Sequence, residues 1–336
     1  MNAIRNAIRN DIADAVDKDT AIVVGVGHGA QGGHLSAGIV EYVAAQAEAL
    51  ELGVQVVHVV PLHTAANSRM RDVGPTFDSL VERGQRSLDQ AVRTLRDRLG
   101  SRVPVSGELL RGGVVPCLVD RSRSAQLLVL QRSEASRWDR LTNGSTIASV
   151  ASAAHAPVVA VPAGWSPPAV PRQITVPVDD ATRSRAEIWT ALGMAAAHDV
   201  PVRVLRATYI PSVYEQLLLP DTSHHDLLVC ARAELERDVD LSRDLRDEVP
   251  VTFEVVFGRT VEEIVNAGRS SSLVVLARRD PRFALGSHLG TVVRHVLREA
   301  TCPVMVVEPT LGEPVPELAR DLVATRRVTT AVLTAG

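Results

Sequence analysis

The feature that most constrains this chain is a repeat. Residues 127 to 132, LLVLQR, return as LVVLAR at 273 to 278, an offset of 146. The same offset carries NGSTIASVASAAHAPVVAVP (143 to 162) onto LGTVVRHVLREATCPVMVVE (289 to 308). It places Gly144 on Gly290, Ser145 on Thr291 and Pro157 on Pro303. The opening strand AIVVGV (21 to 26) has its counterpart in QITVPV (173 to 178), about 152 residues later. A fixed offset held across separate markers is the signature of a duplicated unit. Whatever the first copy folds into, the second must fold into as well.

Each copy alternates short β-branched runs with helical patterns. In the first, a strand at 21–26 leads to a helix near 34–51 whose Ile39, Val43, Ala47 and Leu50 share one face. The run VQVVHVV predicts a strand at 54–60. A helix at 76–99 follows, with Val81, Leu88, Val92, Leu95 and Leu99 as its stripe and Gly100 at its C-terminal cap. Strands at 103–109, 127–131 and 157–161, a short helix and a helix at 145–154 complete the unit. The second copy gives strands at 173–178, 202–208, 250–256, 272–277 and 303–307. Apolar strands separated by helices imply parallel sheets covered on both faces. The expected fold class is therefore α/β, as two tandem doubly wound domains of five parallel strands each.

The expected domains are 20–163 and 172–309, joined by a stiff Pro-rich linker at 164–171 within PAGWSPPAVPR. Residues 1–19 place Ile4, Ile8 and Ile12 on one face of a short amphipathic helix. Residues 310–336 form a tail with one helical stretch, PELARDLVATRR.

Composition then removes function classes. Apolar residues make up 46% of 336, which excludes a disordered chain. A net charge of -3 and 3% aromatics argue against a nucleic-acid surface. Lys18 is the single lysine, so neither a Gly-Lys-Ser/Thr phosphate loop nor a Schiff-base site can be drawn around a pocket lysine. Cys117, Cys230 and Cys302 fit neither a disulfide framework nor a metal spacing, and read as small buried hydrophobes. No apolar run reaches the ~18 residues of a membrane span. The expectation is a cytoplasmic chain without membrane or nucleic-acid partners.

Several stretches together resemble the universal stress protein family, here in tandem. IVVGV and ITVPVDD are similar to the family's opening strand, and VHVVP to its second. VVFGRTVEEIVNAGRSSSLVVLA resembles the join of its third and fourth strands, and GTVVRHVLREATCPVMVVEP its closing segment. The resemblance implies a five-stranded nucleotide-binding fold of the adenine nucleotide alpha hydrolase-like type. It also implies association through the fifth strand, which would make the two copies an internal pseudo-dimer; a homodimer of chains is the further expectation.

Some members of that family bind ATP through an aspartate ending the first strand and a loop of pattern G-x-x-G-x9-G-S/T. Its glycines let the backbone approach phosphates, and the last pair opens a helix whose free N–H groups attract an anion. In the second copy the matching positions are Pro177, Val178 and Asp179, then Ala277 and Arg278, then Gly290, Thr291 and Val292. Ala277 and Asp280 stand where the loop glycines belong, while Arg278, Arg279 and Arg282 offset the added acid. The first copy is more eroded: Gly27 replaces the aspartate, Gln131 and Glu134 replace the glycines, and Gly144 and Ser145 persist. The expected function is thus a non-catalytic stress-response protein that acts through small-molecule binding and association. The alternative is an ATP-binding, slowly ATP-hydrolysing protein using the second copy.

Three other readings compete. GVGHGAQGG satisfies G-x-G-x-x-G through Gly27, Gly29 and Gly32, but no carboxylate ends the second strand and the second copy's turn has no glycine, so NAD and FAD are not expected. His28, His34, His58 and His63 near the first two strands suggest a metal-chelatase-like enzyme, against the simpler reading of solvated loop histidines. SHHD (223 to 226) reads as a surface loop. Nucleophilic catalysis lacks a G-x-S-x-G elbow. Ser145 and Thr291 fit helix caps, and Asp180 beside Asp179 fits a solvated carboxylate.

Overall fold

The computed structural model describes residues 21–27, 34–61, 77–132, 146–170, 172–181, 183–208, 221–239, 249–279 and 289–309. The first copy contributes β1 (Ala21–Val26), α1 (Ala37–Leu50), β2 (Gly53–Val60), α2 (Phe77–Leu99), β3 (Val105–Arg111), α3 (Val114–Arg121), β4 (Ala125–Arg132), α4 (146–153) and β5 (Val158–Pro162). The second contributes β6 (Ile174–Pro177), α5 (Arg185–His198), β7 (Val202–Thr208), α6 (Asp221–Asp238), β8 (Val251–Phe257), α7 (Thr260–Gly268), β9 (Leu273–Ala277), α8 (Thr291–Glu299) and β10 (Val304–Val307). The expected N-terminal helix and C-terminal tail lie outside the described residues, as do His28, Gly29, Gly32, His63, Glu134, Gly144, Ser145, Asp280 and Arg282.

The strands form one sheet in the order β3-β2-β1-β4-β5-β10-β9-β6-β7-β8. Each half runs 3-2-1-4-5 and is parallel throughout. The halves meet at a single antiparallel seam, where Val304 faces Ala160, Met305 faces Val159 and Val306 faces Val158. The fifth strands are entirely buried, which suits β-branched runs with both faces covered. Burying each such side chain is worth about 1.5–3 kcal/mol, so a bare fifth strand would be costly. Within the chain each copy removes the other's exposed edge. The expected association through the fifth strands is thus made within the chain, between its two copies.

Both hydrophobic layers run across the seam. Residues of α1, α2, α5 and α6 pack on one face of the sheet, and residues of α3, α4, α7 and α8 on the other. On the first face, α1 meets α5 through His198 Nε2 and Gln46 Oε1 at 3.0 Å. Burial disfavours a charged imidazole, so the His198 pKa is lowered. The linker is also tied down. Trp165 packs edge-on to Tyr42 with centroids 5.9 Å apart, and a Cβ at Gly38 would lie 1.9 Å from the Trp165 carbonyl oxygen. Only glycine admits the linker so close to α1.

The two copies match element by element in chain order, and the lengths between matched elements differ in places. Ser36 and Ser184 cap α1 and α5, and both helices end on a left-handed residue, Glu51 and Asp199, each with φ 54°. Between Gly27 and Ser36 the chain is four residues longer than between Asp179 and Ser184. The glycine-rich GHGAQGGH falls in that longer stretch of the first copy. A Cβ at Gly27 would meet nothing, so close backbone approach is no reason for that glycine.

Two expectations need correction. SHHD lies within α6, not in a loop: Leu228, Ala231 and Leu235 recur at helical spacing and pack on the core. Of the three cysteines only Cys302 is buried; Cys117 is half-buried and Cys230 is exposed on α6.

Candidate functional site

In a doubly wound sheet, ligands collect at the carboxyl ends of the two strands where the chain's winding reverses. That point lies between β6 and β9 in the second copy and between β1 and β4 in the first. Both pairs are parallel, so their carboxyl ends face the same way.

At the β6–β9 end, Pro177 closes β6 half-buried and Val178 is buried, its N–H donating to Leu205 O at 2.8 Å. Asp179 follows and is exposed. β9 ends at Ala277, whose side chain is a single methyl group. Gly290 is buried and caps α8 in extended backbone (φ -63°, ψ 159°), and it has no side chain of its own to bond the helix's first N–H groups. Thr291 is the first helical residue and is exposed, while Val292 packs partly on the core. The expected capping role of Thr291 is thereby corrected: the cap position belongs to Gly290, one residue earlier, and the hydroxyl starts the first turn instead.

Arg278 takes a different direction from the one expected for a phosphate partner. Its guanidinium is 8% exposed and donates from Nη1 to Ser152 O (3.1 Å) and Ala154 O (2.9 Å) of the other copy. Its Nη2 also pairs with Glu308. The next residue, Arg279, is the cation at the site. It is exposed, and its Nε would lie 3.1 Å from a Cβ placed on Gly290. A guanidinium stationed at the positive end of a helix is stabilised by an anion shared between them.

The start of α5 adds a group that the motif reading missed. Glu187 sits on the third residue after the Ser184 cap, a spacing readable as S-x-x-E, but the Ser184 hydroxyl bonds the Glu187 carboxyl and caps no helix N–H. It is 6% exposed, and burial lifts its carboxyl from the ordinary 4.5 to about 7, against hydrogen bonds from Ser184 and its own N–H.

The β1–β4 end is built from other residues. Gly27 is exposed where the second copy has Asp179. Gln131 reaches from β4 to the start of α1, and its Oε1 accepts the Ser36 N–H at 2.8 Å. A side chain of this protein therefore spans the cleft that Ala277 leaves unspanned in the second copy.

Of the histidines of the chelatase reading, His34 and His58 are among the described residues. His58 is a buried residue within β2, packed beside Gly84 of α2, whose lack of a Cβ makes the room. The expectation of a solvated loop residue is corrected there, because the strand runs past it to Val60. His34 is exposed. Among the described residues no group of three or more His, Cys, Asp or Glu side chains is placed to hold a metal ion. No helix of the described residues is long and apolar enough to cross a membrane.

Comparison with known proteins agrees with the duplicated frame. The model of the universal stress protein family matches residues 20–162 and again 171–308. A universal stress protein of Mycobacterium tuberculosis is 26% identical over 308 residues, covering 87% of this chain and 96% of its own. A second from the same organism is 26% identical over 227 residues, covering 67% and 77%. Among solved structures, a universal stress protein of Archaeoglobus fulgidus aligns with a TM-score of 0.61 at 12% identity, over 88% of this chain and 99% of that one. One from Pseudomonas aeruginosa gives 0.52 at 13% identity, over 90% and 95%. Likenesses of that degree establish a shared fold.

Proposed function

We propose that this chain, which belongs to the universal stress protein family, is a non-catalytic tandem member that binds one adenine nucleotide, in its second copy. The first copy is given over to association. One observation carries the reading. Exposed Asp179, the start of α8 at its Gly290 cap and the exposed Arg279 lie at one strand end, where β9 closes on the Ala277 methyl. An acid for base or ribose, free backbone N–H groups and a cation for phosphate are the complement of a nucleotide. In the first copy the acid is absent and Gln131 holds the helix start for itself.

The test is a thermal melt of the full chain with ATP and Mg²⁺. A ligand at 100 times its dissociation constant adds about 2.7 kcal/mol to stability, a shift of several degrees. Asp179→Ala should abolish it, and calorimetry should count one nucleotide per chain. No shift at millimolar ATP would remove the reading. Nucleotide turnover above the rate without protein would replace it with the hydrolytic alternative.

A further inference from the structure

Arg132 ends β4 and Arg278 follows β9, 146 residues later, and the two cross the β5–β10 seam in opposite directions. Arg132 donates from Nη1 to Leu297 O at 2.7 Å and from Nη2 to Ala300 O. These are the last carbonyls of α8. Arg278 makes the mirror contact on Ser152 O and Ala154 O, at the end of α4. A helix's final carbonyls lack intrahelical donors and carry its negative pole, so a two-pronged cation there satisfies both bonding and charge.

α8 is the helix whose other end, at Gly290, opens the β6–β9 site. Its nine residues span about 13 Å, too far for Arg132 to touch a ligand at the opposite pole. Arg132 also follows Gln131, which holds the start of α1. Two consecutive side chains of β4 thus grip helices in both copies.

We propose that Arg132 is a positioning residue for the second copy's ligand site. By fixing the C-terminal end of α8, it sets the helix along its axis and so places the Gly290 and Thr291 amides at the strand ends. The first copy then acts as a built-in template for the site of the second. The ligand half of this inference rests on the nucleotide reading, and the mechanical half does not.

The experiment uses the full chain with Arg132→Ala and Arg132→Lys, read by amide hydrogen exchange without ligand and by calorimetric titration with ATP. In Arg132→Ala, exchange at residues 294–297 should quicken about tenfold, the scale of a lost, partly buried C-terminal cation. These amides include Arg294 N–H, which bonds to Gly290 O at 3.2 Å. Protection in β6 and β7 should stay as it was. ATP affinity should fall about fivefold or more. Arg132→Lys should recover part of both effects, since an ammonium reaches one carbonyl without the fork. Unchanged exchange at 294–297, or a rise spread evenly over the second copy, would overturn the proposal. If the unaltered chain binds no ATP, the nucleotide reading falls and the exchange result alone decides the role of Arg132. Should Arg132→Ala fail to fold, the Lys variant carries both measurements.

Discussion

The two copies share a strand order but place their ion pairs differently. In the first, edge-strand Glu108 pairs with Arg121 of α3 and accepts Gln55 Nε2 of β2 at 3.0 Å. In the second, the matching Glu254 pairs at 3.3 Å with Arg203, which comes from β7 itself. Arg203 also donates to Thr175 Oγ1 (3.1 Å), Ala267 O (2.8 Å), Ser270 Oγ (3.2 Å) and Ser271 Oγ (3.3 Å). A Thr175–Ser271 bond of 2.7 Å closes the group. The cation has moved from a half-exposed helix to the sheet, and a whole network has condensed around it. Duplicated folds keep their apolar ladder under tight constraint, while polar partners drift as long as each stays satisfied.

That contrast yields the largest effect. Arg203→Met takes the pair from Glu254 and removes the guanidinium's bonds to Ala267 O and to the Thr175, Ser270 and Ser271 hydroxyls, and should cost about 3 kcal/mol. Arg121→Met removes a pair that is about a third exposed on each side and should cost about 1 kcal/mol. Urea midpoints of the two variants compare them directly. Equal losses would mean that the condensed network gives the second copy no added stability.

A second contrast lies at the start of the first helix in each copy. Ser36 caps α1 with its own hydroxyl, accepting Ile39 N–H at 3.4 Å, and Ile39 is fully buried. The corresponding residue of α5 is Glu187, whose carboxyl is held near 7 by burial. A carboxyl raised above its unfolded value binds its proton more tightly when folded. Its contribution is complete below about 4.5 and is lost as pH rises through about 7. The protein should therefore be less stable at pH 8 than at pH 5. Glu187→Gln should flatten that slope, gaining roughly 2 kcal/mol at pH 8 and little at pH 5. Melts across that range decide it, and an unaltered slope in the variant would place the titrating group elsewhere.

These contrasts mark what was legible beforehand. The strands were, because runs such as VQVVHVV and PVVAVP have no other use than a covered parallel sheet. β3 is displaced by two residues from its expected span because Pro104 ends the approach to it, and Pro104 O accepts Val54 N–H just before pairing begins. α6 escaped notice because adjacent histidines at its start resemble a turn more than a helix. Within the proposed site, Asp179 and Gly290 come from the family pattern. The exchange of roles between Arg278 and Arg279 was not. Neighbouring arginines are equivalent in sequence, and only the seam, a contact between distant copies, draws one inward and leaves the other at the helix start.

The smallest effect tests the proposed asymmetry most directly. Gln131→Ala takes from Ser36 N–H its acceptor, at the entrance to α1, and should cost about 1 kcal/mol. It also gives the first copy the same short side chain that Ala277 provides in the second. If the bridging amide alone kept nucleotide out of the first cleft, titration of the variant would then count two nucleotides per chain. One is expected, because Gly27 still leaves the cleft without the acid that Asp179 supplies. A Cβ at Gly27 meets nothing within 4 Å, so Gly27→Asp can be added without a steric penalty. A second site that appears with Gln131→Ala by itself would show that closure, and not the missing acid, separates the two copies.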